Sequence, residues 1–367
     1  MDTQTAPLGL PDPTRLQGFV NRMLDDLGGA MAVPLVRIGD ELGLYTALDG
    51  AGPVTPAELA GRTGTNERLL REWLSAHAAA GYLDYDPGTG RFSMNPEQAM
   101  VFARPESPAF MLGAFEIAAA NLLDQPQVTK AFTRPTGRGA GYDTRCACLF
   151  SGISRFFRPG YVAHLLGEWL PALEGVEEKL RRGARVADLG CGHGATVILM
   201  AEAFPNSHFT GLDYHAASIA CAREAAGRAG VAANTRFDVA GATDFTPGEA
   251  NLGEYDLLAC FDALHDMGDP VGVAERVRRA LRPDGTFMLV EPKAGNRLEE
   301  NINPVGRLFY AASTMICTPV SLDQPGAAAL GAQAGPERLE GVLRRAGFTR
   351  VRLATETPFN LVLEARA

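Results

Sequence analysis

The sequence predicts an α/β protein in which a mainly helical N-terminal domain precedes a doubly wound, mainly parallel sheet. Three observations support this prediction. From Arg185 onward, short apolar strands alternate with helical stretches, which is typical of a parallel sheet covered by helices on both faces. The first of these strands runs into a glycine-rich turn. Nearer the N-terminus, two helices and a hairpin follow one another, which is the pattern of a winged helix-turn-helix.

Composition limits the kinds of protein that this chain can be. Its 367 residues are enough for two domains that each bury a core, and the formal net charge of −9 opposes general affinity for nucleic acid. No run of eighteen apolar residues is present, and the segment from Met1 to Asp12 lacks a basic and apolar leader. We therefore expect neither a membrane span nor a secretory signal, and a cytoplasmic location. The six cysteines include one close pair, Cys146 and Cys148, so reduced thiols and no metal centre are expected.

The N-terminal half contains clear helix signals. Thr55 and Glu58 are spaced as a capping box around the start of one helix, and Asn66 is positioned to cap a second. The hairpin that follows has a tip rich in glycine and aspartate. A charged run from Glu174 to Arg182 predicts the domain boundary, so we expect a helical winged-helix domain over 1–175 and a second domain over 176–367.

The winged helix has two interpretations. A DNA-reading helix should present basic or amide side chains to base edges, and here Arg68 and Arg71 are balanced by Glu67 and Glu72. The acidic balance favours the alternative, in which this domain binds another protein chain. An amphipathic stripe of Leu35, Ile38, Leu42 and Tyr45 also predicts a packing face.

The glycine-rich turn is the strongest motif in the second half. It follows the strand from Arg185 to Leu189 and places glycine at the alternate positions Gly190, Gly192 and Gly194. A dinucleotide-binding turn would have its third glycine one residue later. Asp188 would repel a pyrophosphate at this strand end, but it suits a cationic amine or sulfonium.

This stretch resembles motif I of the class I S-adenosylmethionine (SAM) methyltransferases. The resemblance implies SAM as cofactor and a Rossmann-like seven-stranded class I methyltransferase sheet with a mainly helical N-terminal winged-helix domain. It also implies that the winged-helix region forms a homodimer and helps to wall a small-molecule pocket. Asp213 closes the second strand about 20 residues after Gly192, where an acid accepts hydrogen bonds from ribose hydroxyls in SAM and NAD enzymes alike.

The residues expected at the adenine depart from the family pattern. The resemblance places Tyr214 against the adenine and Phe261, the last residue of the fourth strand, at the cofactor. Relatives usually have an aspartate after the third strand, where this chain has Gly241. Backbone groups near Ala242, or the side chain of Asp244, would then have to bind the adenine.

The fourth strand is followed by the second strong motif. The sequence from Leu264 to Asp269 resembles the L-H-D-W-x-D stretch of small-molecule O-methyltransferases, with methionine in place of tryptophan. The resemblance makes His265 the general base, and the imidazole has a suitable pKa for that role. Glu291 matches the glutamate that flanks this base. A second flanking glutamate is expected near position 333, which is occupied by Gln333.

The acceptor is not specified by the sequence. Phe157 and Tyr161 lie in an aromatic-rich region that is predicted to line the substrate pocket, and Arg307 is positioned to clamp a substrate carboxylate, with Tyr310 nearby. We expect methyl transfer to an oxygen or sulfur atom. Two alternatives remain open at this stage: an NAD-dependent oxidoreductase and a SAM-sensing transcriptional regulator.

Overall fold

The computed structural model describes residues 10–133, 139–242 and 254–367. The chain forms two compact units, one ending at Ala119 and the other beginning at Ala120. The boundary that we predicted after residue 175 therefore lies inside the second unit. The reason is apolar packing, because Tyr161, Leu165 and Trp169 share one buried cluster with residues of the sheet.

The first unit contains the predicted winged helix. Thr55 and Glu58 form the capping box at the start of its third helix, and Asn66 caps the fourth, as predicted. The helices are α1 (Pro13–Glu41), α2 (Leu44–Leu48), α3 (Pro56–Thr63), α4 (Glu67–Ala79) and α5 (Pro96–Phe102), and strands β1 (Asp84–Asp86) and β2 (Arg91–Ser93) form the antiparallel wing between α4 and α5.

The packing stripe that we predicted near the end of α1 is only partly buried. Tyr45 is buried and hydrogen-bonds to His77, which also lies in the core, whereas Ile38 and Leu42 are exposed. A longer apolar stripe lies earlier on α1, at spacings of three and four residues, and its members are all exposed: Leu16, Phe19, Val20, Met23, Leu24, Leu27 and Met31.

The second unit is a seven-stranded sheet with helices on both faces. Helix α6 (Leu112–Phe132) begins in the first unit and ends in the second. The remaining helices are α7 (Ala147–His164), α8 (Val176–Arg182), α9 (Ala195–Ala203), α10 (Ala216–Arg228), α11 (Pro270–Ala280), α12 (Pro304–Ala312), α13 (Thr318–Leu322) and α14 (Gly335–Arg345). The strands are β3 (Arg185–Leu189), β4 (His208–Asp213), β5 (Thr235–Val239), β6 (Tyr255–Phe261), β7 (Leu281–Pro292), β8 (Arg350–Glu356) and β9 (Asn360–Arg366). Short 3₁₀ turns occupy Tyr142–Thr144, Leu264–Asp266 and Leu298–Asn301, and π-helical turns occupy Leu165–Trp169 and Ser313–Cys317.

The strand order is β5-β4-β3-β6-β7-β9-β8. Strands β3 to β7 run parallel to one another, and β9 lies antiparallel to both β7 and β8. Strands β3 and β6 are neighbours although two strands separate them in the sequence. Connections leave them in opposite directions, so a crevice opens at their carboxyl ends.

Strand β6 explains how the two faces are filled. Leu257, Ala259 and Phe261 point into one apolar cluster, which also contains residues of α9 and α10. Leu258 and Cys260 point into the other, with residues of α11 and α14. This period of two in a fully buried strand is what a sheet with helices on both faces requires.

Two findings concern expectations drawn from composition. Cys146 and Cys148 are joined in a disulfide, so the expectation of a reduced pair is wrong, whereas Cys191, Cys221, Cys260 and Cys317 are free thiols. Within the described ranges, none of the helices combines the length and apolarity that crossing a bilayer would need.

Candidate active site

A cavity of about 600 Å³ opens at the carboxyl ends of β3, β4 and β6. Its size is within the usual range for sites that hold a cofactor or a drug-sized molecule. Most of the predicted cofactor-binding residues line it: Asp188, Gly190, Gly192, Asp213, Tyr214, Ala242 and Phe261. Asp244, the other candidate for the adenine, lies outside the described residues.

The three glycines of the motif have different roles. Gly192 has φ of +52°, and a Cβ atom built there would have no protein atom within 4 Å, so its backbone faces open space in the cavity. Gly194 does not line the cavity. Its φ is +78°, and a Cβ atom there would lie 2.7 Å from the ring of Phe237. Gly194 therefore supports the turn into α9, and the cavity wall is formed by Gly190 and Gly192.

Asp188 is a buried acid at the end of β3. Thr196 donates a hydrogen bond to its Oδ2 atom, whereas Oδ1 has no hydrogen-bond partner. Burial, reinforced by the nearby Asp213, raises the pKa of Asp188 to about 7. An unpartnered carboxylate oxygen in a cavity wall fits a cationic amine, because the cation would compensate the cost of burying the charge.

Asp213 is held by the backbone of the glycine turn. Its Oδ2 atom accepts from the Gly192 amide at 3.0 Å, and its Oδ1 atom accepts from the His215 amide at 2.8 Å. Each carboxylate oxygen has a further acceptor site, so Asp213 is oriented to receive hydroxyl donors from the cavity. These residues together fit an amino acid joined to a nucleoside, which is the chemistry of SAM.

His265 and Glu291 form a buried pair, as the resemblance implied. The His265 Nδ1 atom hydrogen-bonds to Glu291 Oε2, and Glu291 Oε1 accepts from the Leu264 amide at 3.0 Å. Glu291 therefore holds the ring with Nδ1 as donor and directs Nε2 away from itself. Burial alone would lower the pKa of His265, but Glu291 and Asp266 raise it well above its ordinary value.

The contact made by the His265 Nε2 atom was not predicted from the sequence. This atom is 3.2 Å from Asp266 Oδ1, and Tyr142 donates to Asp266 Oδ2 at 2.5 Å. Asp266 and Tyr142 line the cavity, whereas His265 does not. Asp266 thus provides the carboxylate on the second side of His265 that we had sought near Gln333. The adjacent acid in the motif was the available signal, but nothing local pointed to Tyr142.

The predicted substrate residues are divided by the structure. Phe157 and Tyr161 line the cavity, and the Tyr161 hydroxyl donates to Asp262 at 2.9 Å. Arg307 and Tyr310 do not line it, and Arg307 is exposed on α12. The structure thus gives no support to a carboxylate clamp at Arg307, because α12 directs its buried Phe309 toward Phe359 instead.

Asp262 is an acid that the sequence reasoning missed. Its φ is +50°, which is uncommon for a residue with a side chain, and Asn360 donates to its Oδ1 atom at 2.8 Å. Burial, together with Glu291, raises the pKa of Asp262 to about 8. Strained backbone at the end of β6 thus presents a second acid to the cavity, next to Phe261.

Comparisons with known families agree with this architecture. Residues 180–347 match the family model of a methyltransferase domain, and residues 29–104 match that of the Rv2258c-like winged HTH domain. These matches confirm the winged helix and the class of the sheet.

Curated relatives cover part of the chain. The 27-O-demethylrifamycin SV methyltransferase of Amycolatopsis mediterranei is 31% identical over 169 residues, which are 44% of this chain and 58% of that protein. A trans-aconitate 2-methyltransferase of Paracidovorax citrulli is 35% identical over 113 residues, or 31% of this chain and 40% of that one. The chain therefore spans less than two thirds of the length of these relatives.

Solved structures share the fold over nearly the whole chain. The mitomycin 7-O-methyltransferase MmcR has a TM-score of 0.67 at 21% identity, covering 96% of this chain and 100% of that one. Human N-acetylserotonin methyltransferase, solved in complex with SAM, has a TM-score of 0.66 at 16% identity, covering 100% and 99%. The fold is that of the class I methyltransferases.

Proposed function

The chain joins a methyltransferase domain to an Rv2258c-like winged HTH domain, and on that premise we propose that it transfers a methyl group from SAM to an oxygen or sulfur atom of a small molecule. The observation that carries this proposal is the arrangement of one cavity. Asp188 and Gly192 wall it beside Asp266, and His265 and Glu291 lie behind Asp266.

SAM supplies a methyl group on a positively charged sulfur, and the chain supplies the means to hold and orient it. Asp188 Oδ1 would bind the amino group of the cofactor, and Asp213 its ribose hydroxyls. Tyr214 and the backbone at Ala242 line the region left for the adenine. Holding the acceptor in line with the methyl group would contribute about 7 to 11 kcal/mol of the barrier reduction.

Proton removal would run through Asp266. The acceptor hydroxyl or thiol would give its proton to the Asp266 carboxylate, which is in the cavity wall, and the proton would pass to His265 Nε2 across 3.2 Å. Glu291 would stabilise the resulting imidazolium through Nδ1. Tyr142, by donating to Asp266 Oδ2, fixes the orientation of the carboxylate. His265 remains the final base in this scheme, with Asp266 as the group that touches the acceptor.

The charge of the cavity narrows the acceptor class. Its lining includes the seven aspartates Asp143, Asp188, Asp213, Asp262, Asp266, Asp269 and Asp323, and within the described ranges it includes no lysine or arginine. A tricarboxylate acceptor, such as the name of the trans-aconitate relative indicates, would be repelled. A neutral or cationic acceptor hydroxyl or thiol fits better, and the rifamycin relative shows by its name that a complex hydroxylated molecule can be the substrate of a similar domain.

The two alternatives have less support. An NAD-dependent oxidoreductase would more often continue its sheet with parallel strands, whereas β8 and β9 form an antiparallel hairpin. For a DNA-binding regulator, the arginines of α4 should be free to reach bases, but Arg68 pairs with Glu72 and Arg71 pairs with Glu67. Calorimetry with SAM, its demethylated product and NAD tests the proposal directly. Binding of NAD without any response to the two SAM species would overturn it.

We also propose that the winged-helix domain forms a homodimer through α1. Leu16, Leu24 and Leu27 are each more than half exposed on one stripe of this helix, and a second copy of the chain would bury them. Replacing Leu24 and Leu27 together by glutamate should convert the dimer to a monomer in light scattering. Leu298→Glu, at an equally exposed leucine of the second unit, is the control and should stay dimeric. A monomeric unmodified protein would refute the proposal.

A further inference from the structure

Three potential metal ligands of different chemistry meet behind the cavity wall. The imidazole of His265, the carboxylate of Asp266 and the thiol of Cys317 are all buried, and their ligand atoms lie within 4.8 Å of one another. Cys317 comes from the π-helical turn before α13, far from the other two in sequence. The sequence predicted no metal centre, and no motif in it indicates that these three residues lie together.

The spacing is close to that of a tetrahedral zinc site. Two ligands at about 2.0 Å from Zn²⁺ and at the tetrahedral angle are separated by about 3.3 Å. The His265 Nε2 and Asp266 Oδ1 atoms are 3.2 Å apart. The thiol completes the set if Cys317 moves inward, since sulfur bonds zinc at about 2.3 Å.

The surrounding hydrogen bonds orient these ligand atoms toward one another. Glu291 binds His265 Nδ1 and so leaves Nε2 directed at the cluster, an arrangement found around zinc-binding histidines. Tyr142 binds Oδ2 of Asp266, and the other oxygen, Oδ1, is buried without a hydrogen-bond partner. Oδ1 faces His265 Nε2 at 3.2 Å, and a metal ion bound between the two atoms would replace this contact.

We propose that His265, Asp266 and Cys317 form a binding site for a single Zn²⁺ ion, which on binding displaces the proton of the Cys317 thiol and the proton of the His265 Nε2 atom to solvent and blocks the acid–base pathway. One nitrogen, one sulfur and one oxygen ligand favour Zn²⁺ over Mg²⁺ or Ca²⁺, which prefer oxygen alone. Three protein ligands leave the fourth tetrahedral position for a water molecule. The ion would bind to His265 Nε2 and Asp266 Oδ1, the two atoms between which the proposed proton transfer takes place. The site therefore goes beyond the proposed function and acts as an inhibitory switch on it.

The first test measures binding alone. Metal-free protein is titrated with Zn²⁺ against a chromophoric chelator, and with Co²⁺ while the near-ultraviolet absorption of a thiolate–cobalt bond is recorded. We expect one ion per chain in the unmodified protein. Cys317→Ala and Cys317→Ser should each weaken Zn²⁺ binding by at least 10-fold to 100-fold and abolish the cobalt–thiolate band. Circular dichroism verifies that at least one of the two variants is folded.

Cys221→Ser is the matched control, because Cys221 is an exposed free thiol outside the cluster. It should keep the affinity and the absorption band of the unmodified protein. Equal Zn²⁺ affinity in the unmodified protein and in a folded Cys317 variant would overturn the site. This measurement needs neither SAM nor an acceptor, so it can succeed or fail independently of the proposed methyl transfer.

A second measurement tests the switch. Once an acceptor substrate is identified, its turnover should fall in proportion to Zn²⁺ occupancy and return when a chelator is added. Turnover by Cys317→Ser should stay unchanged at the same Zn²⁺ concentration. Full occupancy with unchanged turnover would overturn the inhibitory role.

Discussion

The two ends of the cavity are built in different ways. At the cofactor end, Asp188, Gly190 and Gly192 follow one another along a single strand and turn, and the backbone forms much of the wall. At the acceptor end, Tyr142 and Asp266 are 124 residues apart, and His265 and Glu291 are separated by 26. The strand and glycine turn at the cofactor end are thus a local structure, whereas the acceptor end exists only when several elements pack together.

This difference predicts different consequences of mutation. A change in the glycine turn should act through space and backbone conformation, and it should affect binding of the cofactor. A change at the acceptor end should act through protons and hydrogen bonds, and it should affect turnover while cofactor binding persists. Four experiments test this division.

Gly192→Val should abolish SAM binding. The new side chain would enter the cavity, and a β-branched residue is strained at φ of +52°. Calorimetry should detect no binding to a variant that is folded by circular dichroism. Gly227→Val is the control, since a Cβ atom at this helical glycine meets open space, and it should bind SAM normally. Retained affinity in Gly192→Val would show that the turn does not contact the cofactor.

His265→Ala should lower turnover by about 10² to 10⁴-fold, the usual contribution of a general base, with SAM affinity nearly unchanged. Because the pKa of His265 is raised well above its ordinary value, the unmodified enzyme should lose turnover as pH falls through that raised pKa and the ring becomes protonated. The variant should not show this loss of turnover as the pH falls, and it should recover part of its activity at high pH with a thiol or phenol acceptor.

The control for this experiment is His208→Ala. His208 is the first residue of β4, at the end of the strand away from the cavity, so this variant should behave like the unmodified enzyme in steady-state kinetics. Near-normal turnover of His265→Ala at neutral pH would mean that the nucleophile arrives already ionised. Catalysis would then depend on proximity alone, and the residues at the acceptor end would position the acceptor without removing its proton.

Tyr142→Phe should lower turnover by roughly tenfold, because it removes one hydrogen bond to the Asp266 carboxylate, with a contribution of about 1.5 kcal/mol. The effect should appear in kcat and not in the affinity for SAM. Tyr310→Phe, at a tyrosine outside the cavity lining, should have no effect on either quantity. If Tyr142→Phe matched the unmodified enzyme, Asp266 would not need this contact to stay oriented.

SAM affinity should fall about fourfold as the pH is lowered from 8 to 6.5. The pKa of Asp188 is about 7, so its charged form decreases over this range, and a cationic amine binds only to the charged form. Binding therefore lowers the pKa of this acid and strengthens as pH rises. Isothermal titrations at several pH values measure the slope. Asp188→Asn should bind SAM weakly. It should lose the part of the pH dependence of SAM affinity that is due to Asp188, and the pH dependence that remains would come from Asp262.

Much of the sequence interpretation survived because it relied on local patterns. The predicted bounds of β3 agree with the structure, as do the predicted end of β6 at Phe261 and the capping box at Thr55. A buried strand, a glycine turn and a helix cap each depend on a few consecutive residues. Their signals are therefore complete in a short stretch of sequence.

Other features depended on how distant elements pack. The compact units divide after Ala119 because the helices that follow bury apolar side chains against the sheet. Arg307 looked suitable for a substrate clamp, but the path of α12 leaves it outside the cavity lining. Neither result could be read from spacing along the chain, since both depend on which faces of distant helices become buried.

Local patterns in the sequence predict the sheet, the winged helix and the glycine turn, and the family resemblance implies the pairing of His265 with Glu291. Packing in three dimensions decides that Asp266, and not His265, lines the cavity, and that Tyr142 of a 3₁₀ turn and Cys317 of a π-helical turn lie beside Asp266. The physical reason is that a strand or turn is specified by neighbouring residues, whereas the surroundings of a buried imidazole are set by every element that packs around it.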